Sequence, residues 1–322
     1  MSAFIAKRIT SAVGILVLDV VLIFGLLHLT PGDPALMIVG GERGISVNLE
    51  TVRQQLGLDK PLHAQFLSYV SGLVRGDLGR SFFSNEPVGT MLWGRIPMTF
   101  TLAFISLLIG VAIAIPTGIL AAVKRGSVLD QGFMFLAIFG VSMPAFWFAL
   151  VLMLIFAVRF GWFPVVGYVG FLEHPAAWLR HIVLPAVAIG FAQSALIARM
   201  TRSSLLEVLR QDYVALTARA KGLPVWKVIL KHALPNAAFP IVTVVGMSFA
   251  YLIGGVVIIE MVFALPGVGS LLINSIMRRD YQVIQGVLLF IAAANVGMNL
   301  LVDLSYGMID KRVRYAAQEG RS

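Results

Sequence analysis

The sequence predicts an all-α integral membrane protein, with six transmembrane helices and an extracytoplasmic lobe between the first two. The composition is 58% hydrophobic and 13% charged, whereas a soluble domain carries about a quarter charged residues. Several apolar stretches reach the roughly 20 residues that a membrane helix needs. Basic residues gather in one set of connections, so the net charge of +9 indicates membrane orientation and not nucleic-acid binding.

The first apolar window runs from about Ile9 to Thr30 and follows the basic pair Lys7-Arg8. A signal peptide also begins with basic residues. This apolar run is longer than a typical signal-peptide core, however, and "HLTPGDP" after it offers no small-x-small cleavage site. We interpret residues 1–30 as an N-terminal tail and an uncleaved first helix.

Residues 31–97 are too many for a plain connector and are predicted to form the extracytoplasmic lobe. The stretch "LETVRQQLGL" is typical of a helix, and "PLHAQFLSYVSGLV" of an amphipathic helix. Without further information these patterns fit a surface cap over the spans.

The core, residues 98–307, contains the other apolar windows. We predict helices at about 98–123, 132–158, 181–199, 237–260 and 282–303. Four prolines lie in or at the starts of these helices, where each removes a hydrogen-bond donor and can kink the helix: Pro116, Pro144, Pro185 and Pro240.

Ionisable residues inside membrane helices are functional candidates by default, and Asp19 is the one that the predicted spans place deep. We interpret Asp19 as a polar contact with a neighbouring helix. Glu260 and Asp303 lie at span ends, where we expect hydration or capping. Asp280, just before the last span, is expected at the outer surface.

The basic-rich connections are predicted to face the cytoplasm. They comprise Lys7-Arg8, Lys124-Arg125, the loop 200–236 and the tail 308–322. Six spans then place both termini inside the cell.

The loop 200–236 is longer and more patterned than a simple turn requires. A short helix is predicted to end at Gly222, followed by Pro224. A second helix is predicted to begin near Pro224 and to present one apolar side, made of Trp226, Ile229, Leu230 and Ala233. These patterns fit either a helical hairpin resting at the lipid headgroups or a docking element for a cytoplasmic protein that transmits force into the spans.

This loop resembles the coupling loop of bacterial ATP-binding-cassette (ABC) importers, whose consensus is E-A-A-x-x-x-G, nine residues, then I-x-L-P. Ala218, Gly222, Leu234 and Pro235 match the consensus at the right spacing. The departures are Leu216, Thr217 and His232. The string "DYVALTARAKGL" is closer to the "DYxxTARAKGL" of the peptide-importing branch.

Further matches to that branch follow in order along the chain: "HLTPGDP", "QLGLDKPL", "GDLGRSF", "AAVKRGSVLD", "RMTRSSLLEVL", "PGVGSLL", "RRDYQVIQG" and "NLLVDLSYG". The sequence therefore resembles the B-type permease subunit of the dipeptide, oligopeptide, glutathione and nickel importers. The resemblance implies the ABC type-1 transmembrane fold in the bacterial inner membrane.

The resemblance also implies the partners: a second homologous permease that completes a heterodimer, two ATPase subunits, and an extracytoplasmic substrate-binding protein. The chain has no G-x-x-x-x-G-K-[ST] phosphate loop. ATP and Mg²⁺ are therefore expected on the partner ATPases, and no catalytic, cofactor or metal residues are predicted in this chain. The residues predicted to couple to the ATPases are Asp212, Tyr213, Thr217, Ala218, Arg219, Ala220, Lys221, Gly222, Leu234 and Pro235.

The predicted function is therefore ATP-driven import of di- or oligopeptides, with glutathione, opines or nickel complexes as alternative cargo. A secondary transporter driven by an ion gradient would need several ionisable groups near the midplane, and Asp19 is a single candidate. A structural or assembly protein of the membrane would not explain the patterned loop.

Overall fold

The computed structural model describes residues 2–29, 50, 53–54, 59–211 and 224–309. Within these residues the regular structure is helical, apart from one isolated antiparallel bridge between Arg80 and Pro87. The helices are α1 (Ser2–Leu29), α2 (Leu62–Val74), α3 (Val88–Val123), α4 (Val128–Ser142), α5 (Ala145–Leu152), α6 (Pro175–Leu209), α7 (Val225–Val228), α8 (Leu234–Gly255), α9 (Val257–Val262), α10 (Val268–Arg278) and α11 (Tyr281–Ile309). Two π-helical segments, Met153–Arg159 and Ile229–Ala233, continue α5 and α7.

The all-helical prediction is confirmed. In the described part of the chain, five stretches are long and apolar enough to cross a membrane, and α4 with α5 makes a sixth if the bent pair is one span. Of the five, the stretch in α6 is the most buried and the stretch in α1 the least. The helix predicted at about 181–199 is therefore the centre of the fold and, as α6, extends well beyond both predicted ends.

The helix predicted at 132–158 is wrong as a single element, because α4 and α5 meet at an angle of 100°. The break lies at Met143, whose backbone is extended (φ −86°, ψ 125°). Pro144 follows, and the ring of a proline disfavours helical geometry in the preceding residue. The chain therefore turns sharply where the sequence suggested only a kink.

Two other predicted boundaries differ from the structure. Helix α3 begins at Val88 instead of about residue 98 and includes Pro97, so the end of the predicted lobe belongs to a span helix. The helix predicted at 237–260 ends at Gly255, and α9 begins after Val256. Membrane helices continue past their apolar windows because the hydrogen bonds of the backbone do not depend on lipid, so hydropathy alone does not locate their ends.

The core forms where α3 and α6 pack together through small residues. Gly190 of α6 lies so close to α3 that an added Cβ would be 2.6 Å from the Ser106 carbonyl oxygen, and an added Cβ on Gly118 would be 2.7 Å from Thr201. Small residues allow membrane helices to approach at backbone distance, which increases van der Waals contact where lipid provides no hydrophobic drive. These two helices therefore form the closely packed centre of the chain.

Helix α1 lies at the periphery against α11. Arg8 and Asp303 form an ion pair with a distance of 2.9 Å between Nη1 and Oδ2. Asp303, which we expected to be hydrated or to cap a helix, therefore pairs with α1. The pair joins the beginning of α1 to the end of α11, so the two ends of the described chain lie on one face of the helix array. Asp19 is half-buried on α1.

The described part of the lobe rests on the far end of α1. Phe24 of α1 packs edge-on against Phe66 of α2 at a centroid distance of 5.2 Å, and His28 of α1 bonds to Gln65 of α2 at 3.0 Å. The hydroxyl of Tyr69 on α2 is buried and has no hydrogen-bond partner among the described residues, and burial raises its pKa to about 12. The predicted helix "LETVRQQLGL" lies largely outside the described residues.

Candidate functional site

The predicted coupling residues fall into two groups. Leu234 and Pro235 are described and begin α8. The other eight lie outside the described residues, so their role stays a prediction: Asp212, Tyr213, Thr217, Ala218, Arg219, Ala220, Lys221 and Gly222. The described part of the site consists of the segments on each side of these eight residues: the end of α6 and the helix that begins at Val225.

The resumed helix is anchored by a set of buried apolar side chains that we call the junction cluster. Val228, Ile229 and Ala233 come from the segment before α8, and all three are almost fully buried. Their partners come from the ends of α3 and α6 and from the first turns of α8: Ile119, Ala122, Leu205, Val208, Ala237 and Ile241. Leu234 is half-buried and packs against the same cluster. A displacement of this segment must therefore also move α3 and α6, because close-packed interiors transmit strain.

A π-helical turn separates the anchored segment from α8. The Leu234 N–H donates to the carbonyl oxygen of Ile229, five residues back. Pro235 follows directly, and proline has no N–H and clashes with the preceding helical turn. The side-chain amide of Asn236 donates to the His232 carbonyl oxygen at 2.6 Å, so this polar group keeps a partner. The proline of the L-P motif thus explains the widened turn, a feature often found at functional sites.

The prediction that Trp226 and Leu230 share the apolar side of this helix with Ile229 and Ala233 is wrong. Trp226 is 51% exposed and Leu230 57% exposed, whereas Ile229 and Ala233 are buried. Trp226 and Leu230 are four residues apart and together form an exposed apolar face. This exposed face follows the undescribed residues 212–223 in the sequence.

A buried ion pair fixes α6 to the start of α4 at the same end of the molecule. Arg202 donates from Nε to Oδ1 of Asp130 at 2.6 Å and from Nη2 to Oδ2 at 2.8 Å. The Gly126 N–H also donates to Asp130 at 2.9 Å, and the Ser127 hydroxyl caps α4 by accepting from the Asp130 N–H. Two parallel hydrogen bonds between arginine and carboxylate give a geometrically specific contact. The α3–α4 turn therefore moves with α6.

At the opposite end of the spans, Glu260 organises the connection between α8 and α11. It is fully buried, so the expectation of hydration is wrong and the expectation of capping is correct. Its carboxylate accepts from the Thr99 hydroxyl of α3 at 2.6 Å and from the Ser270 N–H at the start of α10 at 2.9 Å. Thr99 Oγ1 accepts in turn from the Val268 N–H at 2.8 Å. A buried carboxylate at a helix N-terminus satisfies N–H groups that have no partner within the helix.

The string "PGVGSLL" supplies the glycines that this arrangement needs. An added Cβ on Gly267 would overlap the Glu260 carboxylate, and one on Gly269 would lie 2.6 Å from the Cα of Val257. Sequence reasoning did not assign Glu260 to this turn. The signal that could have found it is an acid placed shortly before a turn with two glycines that opens a helix.

Asp280 provides a second buried carboxylate in the same region. It is 5% exposed and accepts from the Ser81 hydroxyl at 2.5 Å, so the prediction that it faces the outer surface is wrong. Gly79 packs on Gln282 so closely that a side chain there would overlap it. The turn before α3 is therefore held against the start of α11.

Within the residues that the structure describes, no three His, Cys, Asp or Glu side chains are grouped so that they could hold a metal ion. Every carboxylate that is buried there has a named hydrogen-bond partner: Asp130, Glu260 and Asp280. The described arrangement can transmit movement between one end of the spans and the chain segment outside them.

Two family models match the chain. The model described as "Binding-protein-dependent transport system inner membrane component" matches residues 114–315. The model for the N-terminal part of the same kind of membrane component matches residues 1–103.

Curated relatives match over nearly the whole chain. A putative peptide transport system permease protein of Brucella abortus (strain 2308) is 44% identical over 315 residues, covering 98% of this chain and 100% of the relative. The dipeptide transport system permease protein DppB of Escherichia coli (strain K12) is 41% identical over 339 residues, covering 98% of this chain and 99% of the relative. Among solved structures, the MetNI methionine ABC transporter in an inward-facing conformation gives a TM-score of 0.58 at 18% identity. That match covers 69% of this chain and 97% of the other, and indicates a shared fold.

Proposed function

The chain belongs to the family of binding-protein-dependent transport system inner membrane components, and on that premise we propose that it is the permease subunit of an ATP-driven peptide importer. It forms half of the pathway that carries di- or oligopeptides across the bacterial cytoplasmic membrane. Relatives named for peptide and dipeptide transport, more than 40% identical over almost their full lengths, support this cargo.

The observation that carries the proposal is the junction cluster. Ile229 and Ala233, which follow the undescribed part of the loop, are buried against the ends of α3 and α6. A force that acts on the loop at the cytoplasmic side is thereby transmitted to α3 and α6, the two helices at the centre of the fold. Separate ATPase subunits provide that push, because this sequence has no phosphate-loop motif. Closure of the ATPases then biases a two-state rearrangement of the spans.

The exposed apolar face of Trp226 and Leu230 is the part of the described chain best suited to receive an ATPase. Exposed apolar residues flanked by polar ones are typical of protein interfaces, and Lys227 and Lys231 lie beside them. In this arrangement the resumed helix contacts the ATPase on one side and the junction cluster on the other. Asp212, Tyr213, Thr217, Ala218, Arg219, Ala220, Lys221 and Gly222 complete the coupling loop in the proposal.

The second permease of the proposed heterodimer faces the exposed apolar side chains of α8 and its continuation. Met247, Tyr251 and Ile258 are each more than half exposed there. A substrate-binding protein docks on the opposite side of the membrane, where the lobe lies. The buried carboxylates argue against the alternative of an ion-coupled transporter, since Asp130, Glu260 and Asp280 are each engaged by a partner.

The coupling role is tested by replacing Gly222 with tryptophan. A bulky side chain at the predicted helix end is expected to block ATPase docking, so uptake of a radiolabelled dipeptide by a strain lacking its own dipeptide importer should be abolished. Membrane levels measured by immunoblot should stay unchanged. Gly132→Trp is the matched control, because Gly132 lies on α4 with open space at its Cβ. Unchanged uptake in Gly222→Trp would refute the docking role.

The same uptake assay tests the cargo. An excess of unlabelled di- or tripeptides with ordinary α-peptide bonds is expected to compete with the labelled dipeptide. Glutathione, which has a γ-glutamyl linkage, an opine or a nickel complex is not expected to compete. Competition by one of those compounds alone would assign the chain to another substrate of the same family. Uptake that persists after ATP depletion but collapses with the ion gradient would instead favour a secondary transporter.

We propose that both termini and the junction cluster face the cytoplasm, and the chain is well suited to test this because it contains no cysteine. Lys124 and Glu173 are both exposed and lie at opposite ends of the spans. In spheroplasts, a membrane-impermeant maleimide is expected to label Glu173→Cys at once and Lys124→Cys only after permeabilisation. The reverse labelling pattern would invert the orientation.

A further inference from the structure

An arginine-lined cavity opens beside the ion pair of α4 and α6. Its volume is about 510 Å³, and it lies where α3 ends, α4 begins and α6 ends. Three arginines contribute to its wall: Arg125 from the α3–α4 turn, Arg202 from α6, and Arg210 directly after the end of α6. Leu206 and Glu207 lie between the last two. We call this feature the arginine cavity.

The charge of the arginine cavity is only partly neutralised by the described chain. Asp130 accepts from two N–H groups of Arg202, but a guanidinium carries five. No carboxylate of the described residues lies within salt-bridge distance of Arg125 or Arg210. Among the described residues that line the cavity, Glu207 is the one acid, so this part of the wall presents more donors than acceptors. An anion with several oxygens would satisfy the remaining guanidinium N–H groups.

An exposed apolar surface begins at the start of α4, three residues after Arg125 in the sequence. Val128 and Leu129, the first residues of α4, are 86% and 52% exposed although Asp130 beside them is buried. Further along the same helix, Leu136 and Phe139 are also exposed. The cavity is thus a cationic pocket at the end of an apolar helix surface. A phospholipid has the matching order of groups, since its phosphate leads directly into acyl chains.

We propose that the arginine cavity binds the phosphate of an anionic phospholipid, whose acyl chains lie along the exposed surface of α4. The inference rests on the proposed orientation, which places the cavity at the cytoplasmic leaflet, where basic pockets between membrane helices attract anionic headgroups. Arg125 and Arg210, which have no carboxylate within salt-bridge distance among the described residues, provide guanidinium groups for the phosphate, and the hydrogen bonds to Asp130 hold Arg202 in place. The apolar approach favours a lipid over an acidic protein segment, which would leave Val128 and Leu129 uncovered.

The proposal is tested by titrating the purified complete transporter in detergent with short-chain phosphatidylglycerol, followed by native mass spectrometry. Removing two of the cavity charges in Arg125→Gln/Arg210→Gln is expected to weaken binding about 30-fold, from about 1 kcal/mol for each basic residue near a lipid surface. Binding of phosphatidylcholine of the same chain length should stay weak and unchanged. The charge-preserving Arg125→Lys/Arg210→Lys should retain most of the affinity, because headgroup attraction depends chiefly on charge.

The matched control is Arg180→Gln/Arg278→Gln, which removes two exposed arginines from the opposite end of the spans and should leave phosphatidylglycerol binding unchanged. Equal binding by wild type and Arg125→Gln/Arg210→Gln would overturn the proposal. Displacement of the lipid by inorganic phosphate at equal concentration would assign the cavity to free anions. Loss of the ATPases from Arg125→Gln/Arg210→Gln with lipid binding intact would make the cavity an ATPase contact and also refute it. Failure of dipeptide uptake has no bearing on these readouts, so the lipid site and the transported cargo are tested separately.

Discussion

Replacing Gly190 with leucine is expected to remove most of the folded protein from the membrane. A Cβ at this position would lie 2.6 Å from the Ser106 carbonyl oxygen and 3.0 Å from the Ile109 side chain. The first of these atoms belongs to the backbone of α3, so no rotamer change can relieve the clash. Helices α3 and α6 would have to separate along the centre of the fold, at a cost of more than about 3 kcal/mol.

The measurement is the amount and the Tm of the detergent-solubilised protein, followed by fluorescence size-exclusion chromatography. Gly132→Leu is the matched control, because Gly132 is also a helical glycine but has no neighbouring atom within 4 Å of an added Cβ. It should accumulate like wild type. A stable, monodisperse Gly190→Leu protein would contradict the close packing of α3 and α6.

Leucine is chosen because it is a good helix former. A loss in Gly190→Leu therefore cannot be attributed to helix propensity, which should favour both variants over the wild-type glycines. An intermediate variant, Gly190→Ala, adds only the Cβ and is expected to lose part of the stability. A graded series from alanine to leucine would indicate that steric contact between the two backbones sets the limit.

The helices of the membrane core were the most predictable feature of the sequence. Apolar runs with few charges require helical backbone in a bilayer, because every N–H and C=O must be paired within the segment. The bend at Met143 was half predictable: Pro144 indicated a kink, but the 100° angle also depends on how α4 and α5 pack on α6. The starts of α3 and α6 were poorly predicted, since both helices begin before the hydropathy rises, whereas the predicted end of α3 agrees with the observed end at Val123.

The residues that bind the fold together across long sequence distances could not be predicted. Asp280 is paired with Ser81 and Glu260 with Thr99, and no local pattern links members so far apart. From the sequence alone, a carboxylate near the end of a span is expected to be exposed to solvent, because its hydrogen-bond partner is not known. In contrast, the glycines of "PGVGSLL" were visible as a motif, and the structure gives the reason: there is no room for side chains beside Glu260 and Val257.

The segment that leads into α8 was also predicted only in part. The L-P motif was visible in the sequence, and Leu234 and Pro235 begin α8. The face of the preceding helix was predicted wrongly because regular α-helical spacing was assumed across Ile229–Ala233, where the structure has a π-helical turn. Trp226 lies in the α-helical turn before this segment, and both Trp226 and Leu230 are exposed.

Glu260→Gln is expected to lower the Tm of the solubilised protein by about 5 °C, from a loss of about 2 kcal/mol in hydrogen bonds to a buried charged group. The two carboxylate oxygens accept from Thr99 and from the Ser270 N–H. An amide has one acceptor oxygen, so its NH₂ group would face one of these donors. The start of α10 would lose its cap while the shape of the side chain is preserved.

Glu173→Gln provides the control, because Glu173 is exposed in the loop before α6 and its removal should leave the Tm unchanged.

A double-mutant cycle then separates a network from independent contacts. Thr99→Val removes the hydroxyl that links Glu260 to the Val268 N–H. If the three groups act as one unit, Thr99→Val combined with Glu260→Gln should lower the Tm by less than the sum of the single variants, since each change alone already breaks the shared contact. Strictly additive effects would mean that Glu260 caps α10 without Thr99. An unchanged Tm in Glu260→Gln would mean that the carboxylate does not stabilise the packing of α9 and α10.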